Sequence, residues 1–418
     1  MHCNDGGFYA VFGKNISHSL SPQLFRNYFG DNKKYLRVSV DSAGDILPVI
    51  EEMNIRGFNI TAPFKVAMSK YASSGPGRET ESVNTCIMRN GSLECVNTDA
   101  LALADMIDGI YPPPKGPAAV IGAGGAGRSA IWALRRSGIP TVLFNRSQEK
   151  GRLTAALFGC GFRPLLSETD FSGFDVIISA VPGEARVLND TAKGAACVID
   201  ADYKETYNRD MCESAGIVYH DGWEWLVRQA LYSYAFMFGE EAVCREITKP
   251  LVFKKRIVLS GMMLSGKSTA AEYLKKCGYN VFDLDTMVEE MEGRSVREIF
   301  REGESRFREA ERKAFFRASG LAWDIMALGG GTLEDAEIRS FVKDNYYNIL
   351  LWRKPDDQEF SDERPMLSGE HDMKHGYDAL LAKRKERYLS ASDLLILAGK
   401  DDARRTLKRI KDEIDNAF

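Results

Sequence analysis

The chain has 418 residues, 44% of them hydrophobic and 27% charged, with a formal net charge of −4. That length leaves room for two or three domains, and the composition is that of a globular protein. The slight negative charge gives no reason to expect nucleic acid or an anionic membrane as a partner. No apolar run is long enough to span a bilayer, and the opening MHCNDGGFYAVFG has no basic segment followed by an apolar one. The eight cysteines are scattered and the histidines number five. The cysteines therefore read as reduced thiols of a cytoplasmic protein, with no disulfide framework and no zinc site.

Strand and helix signals alternate along most of the chain, which predicts an α/β fold with parallel sheets. Up to about residue 100, short apolar runs alternate with polar turns. Tyr111-Pro-Pro-Pro-Lys-Gly-Pro117 suits neither helix nor central strand and reads as a connection. A strand over Ala118–Ile121 leads into Gly122-Ala123-Gly124-Gly125-Ala126-Gly127, and a helix then ends near Gly138. Strands are expected at Thr141–Phe144, Asp175–Val181 and Cys197–Asp202, and an aromatic helix from Trp223 to Phe238. The basic stretch Lys249–Arg256 is the best linker candidate. After it, a strand at Ile257–Ser260 opens a segment of domain size that ends in a charged helix. The resulting division is 1–100 completed by 222–246, then 101–221, a linker at 247–256, and 257–418.

The glycine turn has GxGxxG spacing between a strand and a helix, the setting in which that spacing binds a dinucleotide. One glycine permits the tight turn, the next lets the backbone approach a pyrophosphate, and the last lets helix and strand pack closely. The helix start offers free N–H groups to phosphate. At the end of the next strand an NAD site carries an acidic residue for the ribose hydroxyl. This chain has Asn145-Arg146-Ser147 with Lys150 beyond, and the Arg146 fork suits a 2′-phosphate, so the reading is NADP.

Upstream lie Ser19-Leu-Ser21-Pro22, Gly57-Phe-Asn59-Ile-Thr61-Ala-Pro63-Phe-Lys65, Val83-Asn84-Thr85 and Val96-Asn97-Thr98-Asp99. Downstream lie Asp202-Tyr203 and Gly222-Trp-Glu-Trp-Leu-Val-Arg-Gln229. In this order they resemble the motifs of the shikimate dehydrogenase family over roughly residues 8–245. The resemblance implies an N-terminal α/β substrate domain and a Rossmann domain for NADP(H), which reduce 3-dehydroshikimate to shikimate. It implies that Ser19 and Ser21 bind the substrate carboxylate, with Asn59, Thr61, Asn84, Tyr203 and Gln229 in the same pocket. Lys65 is then the main catalytic group and Asp99 its orienting partner, a pair able to pass a proton and stabilise an alkoxide. Gly122, Gly124, Gly125, Ala126, Gly127, Asn145, Arg146, Ser147 and Gly222 fall to the cofactor. Cys95, Ser147 and Trp225 replace residues more usual in the family (glycine, threonine and methionine), and none removes a group that the chemistry needs.

The second fingerprint, Gly261-Met-Met-Leu-Ser265-Gly266-Lys267-Ser268, has P-loop spacing between a strand and a helix. Its backbone N–H groups cradle phosphates, Lys267 reaches the outer phosphates, and Ser268 ligates Mg²⁺. Thr269 follows it. Then come Asp283-Leu-Asp285, Phe307-Arg308 in an FRxxE run, Gly329-Gly330-Gly331, Arg364-Pro365, and Arg384 near Tyr388. Together these resemble the shikimate kinase family over 256 to about 415. The resemblance implies a P-loop kinase domain with a parallel sheet that uses ATP and Mg²⁺. Asp283 then helps hold the metal, and Asp285 takes the ring hydroxyls and accepts the proton of the attacking one. Arg308 and Arg384 hold the substrate carboxylate, Gly330 adds a backbone contact, and Arg364 rides on a polar lid over the nucleotide. Leu264 stands where the family loop usually has glycine, which puts the loop geometry in question.

The two resemblances meet at one small molecule, the product of the first reaction and the substrate of the second. They imply a bifunctional enzyme of aromatic amino-acid biosynthesis acting on small molecules. Two alternatives stay open: one silent half serving as a nucleotide-binding module, or an NAD-dependent quinate/shikimate dehydrogenase. The oligomeric state also stays open, with a homodimer as one option.

Overall fold

The computed structural model describes residues 7–29, 34–72, 75–182, 185–203, 207–239, 256–353, 373–398 and 403–417. The chain divides into two compact units: Met1–Val11, Gln23–Lys33 and Ser42–Thr248 form the first, and Phe12–Pro22, Lys34–Asp41 and Lys249–Phe418 the second.

In the first unit, six strands form a sheet in the order Val218–His220, Cys197–Asp200, Val176–Ser179, Ala118–Ile121, Thr141–Asn145, Gly161–Pro164. Each pairs parallel with its neighbour. The chain reverses direction across this sheet at Ala118–Ile121, as in a doubly wound dinucleotide fold. The inner strands are apolar on both faces because both are covered. Ala118, Val120, Leu143, Ile178 and Ile199 pack on one side, and Ala119, Ile121, Phe144, Ile177 and Val198 on the other. The same unit contains an antiparallel hairpin, Thr85–Arg89 with Ser92–Val96, whose first strand also pairs with Ile55–Ile60. Asn90 and Gly91 make the turn with φ of 51° and 75°, the left-handed pair that a two-residue hairpin loop requires.

That hairpin corrects the reading of all cysteines as free thiols. Cys86 and Cys95 face each other across it with Cα atoms 4.2 Å apart and form a disulfide. The Asn-Gly turn sets the register that opposes them. Cys160, Cys197, Cys212 and Cys277 are free.

Among the described residues the second unit has six parallel strands in the order Val281–Asp283, Ile325–Ala327, Ile257–Ser260, Tyr347–Trp352, Leu394–Leu397, Tyr35–Ser39. The P-loop leaves a fully buried strand inside this sheet. The last strand comes from the N-terminal part of the chain, where the sequence places one continuous domain over 1–100. It joins here because Arg37, Val38 and Ser39 pair with Leu394, Leu395 and Ile396. Beside it, Arg409 of the helix Ala403–Ala417 forms an ion pair with Asp41, Nη1 to Oδ2 at 2.8 Å. Among the described residues no helix is long and apolar enough to cross a membrane, and no cluster of ligating side chains could hold a metal ion unaided.

Candidate active sites

In the first unit, Lys65 Nζ donates to Asp99 Oδ2 at 2.6 Å, and both side chains are largely shielded. Asp99 sits in the first turn of helix Thr98–Asp108, where a carboxylate complements the helix dipole. Asn97 caps that helix by accepting from Ala100 N at 3.0 Å. The Trp225 indole donates to the Asp99 carbonyl at 3.3 Å, so this bulky replacement braces the turn that carries Asp99. Next to the pair runs a buried polar network. Asn59 Nδ2 lies 2.9–3.0 Å from the Asn84 carbonyl, Thr85 Oγ1 and Ser233 Oγ. Asn84 donates to Gln229 at 3.1 Å and accepts from Thr98 N at 2.7 Å. These short amides and hydroxyls satisfy one another, as buried polar groups must, and form a preset lining for a hydroxylated ligand.

The glycine turn lies against this pair. Gly122 has φ of 107°, and a Cβ at Gly127 would come within 1.8 Å of the Gly122 carbonyl, so helix and strand approach too closely for a side chain. A Cβ at Gly125 would lie 3.0 Å from Lys65 Cβ and 2.7 Å from Ser82 Oγ. At Gly124 a Cβ would meet nothing within 4 Å, so that face is open. Asn145 Oδ1 accepts from Ala123 N at 3.1 Å and steadies the turn, Ser147 caps the next helix, and Arg146 is exposed. Gly222 packs on the backbone of Ala201 and Asp202, which places Tyr203 beside the start of helix Gly222–Phe238.

In the second unit, Gly266 (φ 93°) starts helix Lys267–Lys276, and Lys267 Nζ donates to the carbonyls of Gly261 at 2.7 Å and Met262 at 2.8 Å. Ser268 and Thr269 are exposed at the helix start, and Ser265 is buried. Asp283 caps helix Leu284–Glu292 by accepting from Asp285 N at 2.9 Å and Thr286 N. Asp285 is exposed in the first turn of that helix, with the Gly329 backbone packed close to its carboxylate. This partial burial, with the like charges of Asp283 and Glu311, pushes its carboxyl up to about 6.

The three glycines explain how these groups converge. A Cβ at Gly329 would collide with Glu311 and lie 3.1 Å from Asp285 Oδ1, and one at Gly330 would press on the Met263 amide of the P-loop. One at Gly331 would fall inside the Arg308 guanidinium. Bare backbone therefore lets the loop reach Asp285, Arg308 and the phosphate loop together. Arg308 is held by Glu311 at 2.6 Å and Glu304 at 3.2 Å. Arg384 is buried, and its Nε donates to Glu334 at 2.6 Å. Burial alone would raise the Glu334 carboxyl, but Arg384 and Lys383 outweigh it and hold it below the usual range.

Comparison with known proteins decides the lineage of these sites. Residues 11–86 match the family model described as shikimate dehydrogenase substrate binding domain, and 263–415 the one described as shikimate kinase. A shikimate dehydrogenase (NADP(+)) of Sulfolobus acidocaldarius is 32% identical over 263 residues, 61% of this chain and 98% of that protein. The chain belongs to the shikimate dehydrogenase family. It carries a shikimate kinase domain as well. An Ignicoccus hospitalis shikimate dehydrogenase (NADP(+)) is 34% identical over 42% of this chain and 68% of its own. The crystal structure of the Aquifex aeolicus shikimate dehydrogenase, 25% identical, superposes with a TM-score of 0.51 over 58% of this chain and 96% of that one.

Within the dehydrogenase part, the fold gathers Lys65, Asp99, Asn59, Asn84, Gln229 and Gly125. Thr61 is half-buried, its carbonyl accepting from Phe64 N at 3.0 Å. Ser19 and Ser21 fall in the second unit, with Ser19 Oγ and Ser21 Oγ 3.4 Å apart. Within the kinase domain, the fold gathers Asp285, Arg308, Gly330 and the P-loop. Arg364 and the expected lid lie outside the described residues. Sequence reasoning missed Ser233, which joins the Asn59–Thr85–Thr98 network, and the roles of Glu311, Glu334 and Tyr388, whose hydroxyl donates to the Gly330 carbonyl. A serine one turn beyond Gln229 on the same helix face is a signal that could have found the first.

Proposed function

We propose that the chain reduces 3-dehydroshikimate to shikimate with NADPH and then phosphorylates shikimate at its 3-hydroxyl with MgATP. The observation that supports the first step is Gly125 lying against Lys65 while Lys65 holds Asp99. It joins the dinucleotide turn to a proton-transfer pair. When bound, NADPH supplies the hydride. Lys65 donates the proton to the ring oxygen, Asp99 fixes the ammonium, and Asn59, Thr61, Asn84, Tyr203 and Gln229 orient the substrate. The open face at Gly124, the Asn145-braced turn and the exposed Arg146 fit an NADP pyrophosphate and 2′-phosphate.

For the second step, Ser268 and Asp283 are the groups that would hold Mg²⁺, and the P-loop amides with Lys267 would hold ATP, whose outer phosphoryl is transferred. Asp285 takes the proton from the attacking hydroxyl, while Arg308 and Arg384 orient the carboxylate. Positioning and charge neutralisation are most of what such a transfer needs. The oxygen reduced in the first reaction is the one phosphorylated in the second.

The test follows nicotinamide absorbance with 3-dehydroshikimate and NADPH, then adds MgATP. Oxidation should slow near equilibrium and resume as shikimate 3-phosphate forms. Lys65→Ala should abolish the oxidation and leave phosphorylation of added shikimate intact, and Lys267→Ala the reverse. Leu264, a leucine with φ of 67° inside the phosphate loop, favours one second reading, a silent nucleotide-binding domain. Oxidation without any phosphorylated product would establish that reading.

A further inference from the structure

The carboxylate of Glu334 sits on the guanidinium that the proposed kinase reaction assigns to the substrate carboxylate. Arg384 lies on helix Met373–Ala391 and is 1% exposed. A guanidinium taken out of water to that extent needs an opposite charge at hydrogen-bond distance. Glu334 supplies it: Arg384 Nε at 2.6 Å and Nη2 at 2.5 Å both meet Glu334 Oε1. The other oxygen, Oε2, lies 3.0 Å from Lys383 Nζ and 3.2 Å from Arg387 Nη1. Three cations around one carboxylate leave the group positive, so it still draws an anion. Glu334 closes the short turn Thr332–Glu334, directly after Gly329-Gly330-Gly331. Its N–H donates to the Gly331 carbonyl at 2.8 Å, and Arg339 Nη1 donates to the Leu333 carbonyl at 2.8 Å. At the start of the same turn Thr332 Oγ1 donates to Glu311 Oε1 at 2.6 Å, and Glu311 Oε2 holds Arg308 at 2.6 Å. One turn of the second unit therefore mounts both arginines.

We propose that Glu334 is a positioning residue for the kinase reaction, aiming the Arg384 guanidinium at the shikimate carboxylate from the turn that also sets Arg308. This role rests on the reading above, in which Arg384 meets that carboxylate. Contacts at two nitrogens fix the plane of a guanidinium as well as its place, which a single hydrogen bond does not. Lys383 and Arg387 in turn hold the far oxygen of Glu334, so its carboxylate cannot swing with Arg384. The helix that carries Arg384 is seated one turn further on. There the Tyr388 hydroxyl donates to the Gly330 carbonyl and lies 3.6 Å from Met262 Sδ of the phosphate loop. With the helix seated by Tyr388, the aim of the Arg384 side chain is left to Glu334. Glutamine has the same shape but no charge, and its amide N–H group would face a cation on one side or the other.

The experiment is steady-state kinetics of shikimate phosphorylation by the full chain. In Glu334→Gln the KM for shikimate should rise about tenfold, the equivalent of one hydrogen bond to a charged group. The KM for ATP and kcat should stay within about twofold, because the lost contact serves substrate binding alone. Glu334→Asp, which keeps the charge on a shorter arm, should recover part of the loss. Arg384→Gln should raise the same KM, and adding Glu334→Gln to it should raise it no further, since no guanidinium is left to aim. Should Glu334→Gln fail to fold, Glu334→Asp carries the test, with a smaller rise expected. An unchanged shikimate KM in Glu334→Gln beside a raised one in Arg384→Gln overturns the role of Glu334 alone. So does an equal rise in both KM values, or a double variant whose effects multiply. A fall in the shikimate KM would make Glu334 a competitor of the substrate for Arg384, and overturns the role as well. An unchanged KM in Arg384→Gln overturns the assignment of Arg384 itself, and no phosphorylation by the unsubstituted chain overturns both.

Discussion

Leu264 offers the sharpest test of the backbone argument. Among the described non-glycine residues with positive φ, three are asparagines, and Leu264 at 67° is the apolar one. A Cβ in that region costs about 1–2 kcal/mol through its clash with the following carbonyl. Glycine avoids the clash but adds about 0.5–1 kcal/mol of unfolded-state entropy relative to alanine. Leu264→Gly should therefore be more stable than Leu264→Ala by about 1 kcal/mol, the reverse of the usual order. Comparing these two variants cancels the half-buried isobutyl group that both have lost. For a unit of this size the difference is about 2–4 °C in the midpoint of thermal unfolding. Calorimetry of the full chain without nucleotide would measure it, using the transition that shifts when ATP is added. If Leu264→Ala proves equal to or more stable than Leu264→Gly, the loop does not carry the strain argued from its dihedral angle.

Arg146→Ala should raise the KM for NADPH about tenfold or more, the cost of one charge-assisted contact, and leave the weaker NADH reaction unchanged. Steady-state rates with both cofactors test this, and an equal loss with each would mean that Arg146 does not read the 2′-phosphate. Phosphorylation should fall as pH drops through about 6, because Asp285 acts as a base only when ionised and burial with two neighbouring carboxylates raises it to that value. The sign for stability is opposite. A carboxyl raised from its ordinary 3.8 to about 6 destabilises the folded state above pH 6, so Asp285→Asn should be more stable at pH 8 and lose that advantage below about pH 4. Because the residue is only partly shielded, the gain should be nearer to about 1 kcal/mol than to the roughly 3 kcal/mol that the full shift implies, and denaturant titration at both pH values measures it.

The dinucleotide sheet was legible in the sequence because its central strands are buried on both faces and read as plain apolar runs. Gly161–Pro164 and Val218–His220 were not, since they are short edge strands with exposed residues and no apolar run. The P-loop strand was read to the residue because glycine follows it at once. Motif order singled out Lys65, Asp99, Asp285 and Arg308, but it could not say that Lys65 would meet Asp99 or that Glu311 would hold Arg308. Nothing in the sequence marked Glu334, which meets Arg384 across fifty residues. The disulfide was readable in principle. An Asn-Gly turn with equal arms places Cys86 opposite Cys95, but the absence of a dense cysteine framework outweighed that local signal. The pairing of Tyr35–Ser39 with Leu394–Leu397 was not legible, because strand order depends on contacts between distant segments of the chain.

The two proposed reactions ask opposite things of one oxygen, and the two sites differ accordingly. Reduction creates an alkoxide that must receive a proton, so the group beside it should be a cation that keeps its charge until the hydride arrives. In the proposed reduction Lys65 takes this place, with the Asp99 carboxylate 2.6 Å from its Nζ. Phosphorylation must take a proton from the same oxygen, so its group should be a carboxylate more basic than usual. Asp285 meets this need because Asp283 and Glu311 oppose its charge and protein crowds it. The electrostatics around each residue follow from this difference: an opposite charge at hydrogen-bond distance in one site, like charges nearby in the other. The residues proposed to meet the substrate divide in the same way. The reduction site is lined by neutral amides and hydroxyls that do not disturb the lysine, while the kinase site has two arginines whose charge answers both its carboxylates and the phosphates it must hold.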